Sequence, residues 1–183
     1  MGTSVFLTTT QFWMIFMSLF GFFLLTYVYI KYKRDPALWW GLALLLLFVS
    51  LASETINLVD VQVLSRALFG MLVLYGTIGL LEEEKIVLSK HFRILSLVPL
   101  IVTGYVELGR VFGYSQDWFV SVGVPYAISG FAIVLSGFFI FSLLREEYDQ
   151  KARFLGYFFC FMGFIKCFIH LREWLLNFSR SLL

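Results

Sequence analysis

ALWWGLALLLLFVSLASETINLVDVQVLSRALFGMLVLYGTIGLLEEEK, residues 37–85, contains two long apolar runs with one short polar connection between them. About 20 apolar residues, rising 1.5 Å each, cross the ~30 Å hydrocarbon core of a bilayer. The stretch therefore reads as a membrane hairpin. Its first arm opens at Ala37 with Trp39 and Trp40 and runs to about Leu58. Its second arm runs from Gln62 to Leu81 and closes on Glu82, Glu83, Glu84 and Lys85. The connection around Asp60 is short enough to force an immediate return.

The pattern continues on both sides. Apolar runs cover about 11–30, 37–58, 62–81, 94–111, 118–144 and 154–177. The expectation is an all-α, polytopic membrane protein: one transmembrane domain over residues 1–183, built as a six-transmembrane-helix bundle. Composition agrees, with 60% hydrophobic and 14% charged residues and a mean hydropathy of +0.87. Water-soluble domains of this length do not have such a composition. The net charge of +2, without a dense basic run, excludes a nucleic-acid partner. Cys160 and Cys167 would lie about 10 Å apart along one helix, too far for a disulfide. The first apolar run has its basic cluster after it rather than before, so it reads as a retained helix and not a cleaved leader.

Orientation follows from lysine and arginine. Lys31, Lys33, Arg34, Lys85, Lys90, Arg93, Arg145, Lys151 and Arg153 fall in the turns after the first, third and fifth runs. The positive-inside rule makes those turns cytoplasmic and places both the N-terminus and the C-terminus outside. Trp39 and Trp40 at the inner interface, and Trp13, Trp118 and Trp174 at the outer one, fit the same orientation. The localisation expected is the cell membrane.

The last run, FLGYFFCFMGFIKCFIHLREWLLN at residues 154–177, carries Lys166, His170 and Glu173 at spacings that share one helical face. Counting 1.5 Å per residue from the inner turns puts Glu107 about 21 Å deep and Lys166 about 20 Å deep. Glu54, Arg66, Arg110 and His170 fall near 25 Å on the same scale. Charged groups from four helices thus share one level in the outer third of the membrane. Lipid cannot solvate them, so they are expected to face protein or water and to pair with one another. Asn57 and Glu173 sit at the edge of this layer, and Tyr105 and Tyr126 are placed to line a pocket within it. The opposing reading is a dry network that only ties helices together, with Arg66 and Arg110 close enough to the headgroups to reach them.

Small residues supply a second pattern. Gly123, Gly130 and Gly137 recur every seven residues with Ser129 and Ser136 beside them, and Gly156 and Gly163 lie on the polar face of the last run. Such faces let membrane helices approach closely. The fifth run is therefore expected at the centre of the bundle, or at an interface with a second copy or a partner subunit.

Several chemistries are disfavoured. A metal site would have one histidine, His170, among competing cations, so no metal is assigned. His91 and His170 lie at opposite ends of their spans and cannot share a haem, and no cofactor is implied. The functional expectation is a channel or carrier for an ion or small polar solute, with membrane lipid as its surroundings. Glu54 and Glu107 would be cation or proton ligands, Lys166 their counter-charge, and His170 the group that titrates near neutral pH. A ligand- or lipid-binding sensory or accessory subunit without transport is the second reading. A membrane-embedded enzyme using Glu107 or Glu173 with His170 as acid and base is the third, and less favoured.

Overall fold

The computed structural model describes residues 2–84, 91–113 and 122–143, with side chains from residue 11 onward and excluding those of His91 and Leu143. Among the described residues six α-helices follow one another: α1 (Gly2–Tyr32), α2 (Asp35–Thr55), α3 (Val59–Glu83), α4 (His91–Leu95), α5 (Val98–Val111) and α6 (Val124–Leu143). In a bilayer a helix is the open-chain form that satisfies every backbone polar group internally, which is why the described apolar runs take this form.

These elements form five membrane-length spans: Gln11–Tyr32, Asp35–Thr55, Val59–Glu83, Phe92–Val111 and Val124–Ser142. The protein is an all-α, multi-pass membrane protein. The expected count of six is corrected to five among the described residues. The sixth span rested on the apolarity of residues 154–177, which lie outside them. The placement of both termini outside depended on an even number of spans and falls with that count.

Helix ends are set by local chemistry. The chain leaves α1 through Lys33 in the left-handed region, at φ 54, and enters α2 at Asp35–Pro36. Proline suits the first helical turn because its missing N–H has no intrahelical acceptor there. At the other end of α2, Asn57 adopts φ 58. Its N–H reaches Glu54 O at 3.3 Å, while Leu58 N–H reaches Ser53 O at 2.9 Å. This is a Schellman closure with asparagine in the position usually given to glycine. It turns α2 into α3 within three residues.

Between α4 and α5 the helix breaks at Ser96–Leu97, with Pro99 in the first turn of α5. At the start of the last described helix, Val122 and Gly123 form a wide π-type turn.

The centre of the bundle is α3, which touches α2, α4, α5 and α6. The sequence pointed to the glycine-bearing fifth run as the central helix or as one at an interface with a second copy or partner. That run, α6, packs on α3 and α5. One close approach involves a glycine on the other partner: a methyl group on Gly70 of α3 would lie 3.0 Å from Ser129 Cα of α6. Ser129, Gly130, Ser136 and Gly137 are all buried. By contrast α1 packs on α2. It turns Phe12, Trp13, Phe20 and Phe23 outward, each more than half exposed, as a lipid-facing helix does.

Candidate functional site: the charged layer at the α2–α3 turn

Two polar clusters lie at the end of the bundle where α2 turns into α3. The first is centred on Arg66, two turns into α3 and 5% exposed. Its Nε donates to Ser50 Oγ at 3.0 Å, and its Nη2 donates to Tyr126 Oη at 3.3 Å. The guanidinium also lies over the Tyr126 ring, 4.4 Å from the centroid. Glu54 Oε2 stands 3.8 Å from Nη2 and is partly open to solvent. Gln62 donates its amide N–H to Tyr126 Oη, and Ser50 Oγ donates to the Gln62 carbonyl at 3.1 Å. Side chains from α2, α3 and α6 thus close around one cation. Burying a guanidinium is costly unless its donors are met, and here they are met by two hydroxyls, a ring face and a nearby carboxylate.

The local sequence explains the arrangement. Ser50 and Glu54 are four residues apart on α2, and Gln62 and Arg66 are four apart on α3. Each pair therefore lies on one face. The tight asparagine turn brings the two faces together.

The second cluster joins α5 to the start of α3. Arg110 Nε donates to Glu107 Oε2 at 3.0 Å, and Nη2 donates to Asp60 Oδ1. Glu107 is divided in its surroundings. While Oε2 is held by Arg110, Oε1 is buried and has no hydrogen-bond partner among the described residues. One turn deeper, Thr103 is fully buried and its Oγ1 is likewise without a partner among them. Thr103 and Glu107 share one face of α5.

The structure thus brings Glu54, Arg66 and Tyr126 together, and Glu107 and Arg110 together. Tyr105 is 79% exposed on the outer face of α5 and joins neither cluster. Asn57 acts through its backbone as a helix terminator. Lys166, His170, Glu173, Gly156 and Gly163 lie outside the described residues.

Ser50, Gln62 and Asp60 complete the clusters and were absent from the expected site. For Gln62 the readable signal was its i, i+4 relation to Arg66. Among the described residues, no three of His, Cys, Asp and Glu converge as a metal-binding group.

No family model matches this sequence, and neither a curated protein nor a solved structure matches it.

Proposed function

We propose that the protein is a channel or carrier for a small cation or proton, with Glu107 as the carboxylate that receives it. The supporting observation is the buried, unpartnered Oε1 of Glu107, backed by the unpartnered Thr103 Oγ1 one turn deeper. Leaving a buried acceptor unmet costs about 1–3 kcal/mol, and more for a charged group. A site that meets its ligand only in passing keeps that acceptor open. Arg110, itself paired with Asp60, holds Oε2 of the carboxylate and leaves Oε1 open.

Flux in proteoliposomes tests this reading. Native protein should conduct protons or a monovalent cation above the protein-free leak, and Glu107→Gln and Lys166→Met should each reduce that flux. Native flux equal to the protein-free leak for every ion tried would refute it.

A second reading, a binding subunit without transport, draws support from the closed shell around Arg66. Three helices tied to one cation form a rigid layer better suited to relaying a bound state than to passing a solute. It predicts saturable binding with no flux.

A further inference from the structure

At the opposite end of the bundle, where α2 begins and α3 ends, lies a cavity of about 350 Å³. Counted along α3, its wall residues lie about 14 Å (Tyr75) to about 24 Å (Glu82) from Arg66. Asp35 and Trp39 of α2 form one wall; Tyr75, Gly79 and Glu82 of α3 form another; Arg93 of α4 closes the side. The spacing is regular. Asp35 and Trp39 are one turn apart, as are Tyr75 and Gly79, and Glu82 follows on the next turn.

The wall chemistry is selective. Trp39 and Tyr75 meet edge to face, with ring centroids 4.9 Å apart. Arg93 is engaged by Glu82 through two bonds, of 2.9 and 2.5 Å. Glu83 is bound by Arg34 at 2.9 Å. Asp35 has no ion-pair partner among the described residues and is exposed. Gly79 keeps the floor open, since a methyl group there would meet only Pro36 Cγ, at 3.8 Å.

We propose that this cavity binds an ammonium group, primary or quaternary, with its charge against the Asp35 carboxylate and the Trp39 and Tyr75 rings. Aromatic faces attract a diffuse organic cation, and a nearby carboxylate adds to that attraction. A metal ion would need several converging oxygens, which the described residues do not offer. An anion would have to compete with Glu82 for Arg93. The volume falls within the range that holds small organic molecules. Such a group reaches this site either on a soluble amine or on the headgroup of an ethanolamine or choline lipid. The proposal is independent of ion movement at Glu107.

Titrating choline into the purified protein, beside its neutral isostere 3,3-dimethylbutan-1-ol, tests the soluble source. Measuring retention of phosphatidylethanolamine against phosphatidylglycerol from mixed micelles tests the lipid source. Saturable choline binding that the isostere does not match supports a soluble ligand. Selective retention of the ethanolamine lipid without choline binding supports a headgroup. In either case Asp35→Asn should weaken the response roughly tenfold, and Gly79→Leu, which fills the floor, should remove it. Asp35 is exposed, so its variant remains decisive if Gly79→Leu fails to fold. The proposal is overturned if neither probe binds, or if binding is unchanged in Asp35→Asn.

Discussion

Arg66 both lies over the Tyr126 ring, 4.4 Å from its centroid, and donates to the hydroxyl of the same side chain at 3.3 Å. One tyrosine thus serves a buried cation twice, through its face and through its oxygen. The two contributions can be separated by substitution. Tyr126→Phe keeps the face and leaves donors of Gln62 and Arg66 unmet, which should cost about 1–2 kcal/mol. Tyr126→Leu also removes the ring, adding about 0.5–2 kcal/mol. Thermal unfolding in detergent should rank native above Tyr126→Phe above Tyr126→Leu; equal melting of the two variants would show that the face contributes nothing.

Thr103 separates a transport role from a packing role. Its hydroxyl is buried with no partner among the described residues, so Thr103→Val removes an unmet polar atom at nearly constant volume. Stability should be unchanged or rise by up to about 1 kcal/mol. Flux should nevertheless fall if cations pass along this face of α5. Melting temperature and proteoliposome flux measured on one preparation give both answers.

Glycines in this bundle differ in what surrounds them. A methyl group on Gly76 would lie 2.6 Å from Trp40 Cδ1, and on Gly70 3.0 Å from Ser129 Cα. Gly76→Ala would displace an indole that donates to Val73 O at 3.3 Å. Both alanine variants should lose about 1–3 kcal/mol through overpacking. Gly104 has nothing within 4 Å. Gly104→Ala should therefore gain about 0.5–1 kcal/mol from the lower conformational freedom of alanine in a helix. Unfolding of the three variants side by side checks the contrast in sign.

Asp60 and Arg110 form an ion pair in which the Asp60 side chain is 72% exposed. Solvent screens such a pair, and Asp60→Asn should cost no more than about 1 kcal/mol. Its effect should appear in function. With one anchor of Arg110 removed, Glu107 loses orientation, and ion flux should fall by more than stability does. Raising the salt concentration should reduce the difference between native protein and variant.

Much of this arrangement was legible in the sequence because lipid imposes simple rules. Apolar length marked the spans, and depth along each run put Glu54, Arg66, Glu107 and Arg110 at a common level. Depth does not give direction around the bundle. The layer therefore divides into two clusters, one around Arg66 and one around Arg110, which a count along the axis cannot separate. Tyr105 shares the depth of Glu107 but lies two residues away, on the other side of α5, where it faces outward. Gln62 read as a polar residue at a helix start, although its position one turn before Arg66 marked it as part of the cluster. Asn57 read as a layer residue, yet its left-handed backbone is what the chain requires there. The glycine repeat of the fifth run indicated close packing, but it did not point to Gly70, which meets Ser129 from α3 and has no repeat to announce it. Counting residues 154–177 as a span rested on apolarity alone, and five spans are what the described residues contain.

Because α3 touches four other helices, it is the common axle of the molecule. Arg66 near one tip and Tyr75, Gly79 and Glu82 toward the other are spokes on that axle. Both polar ends of the bundle are thus fastened to one continuous helix, Val59–Glu83.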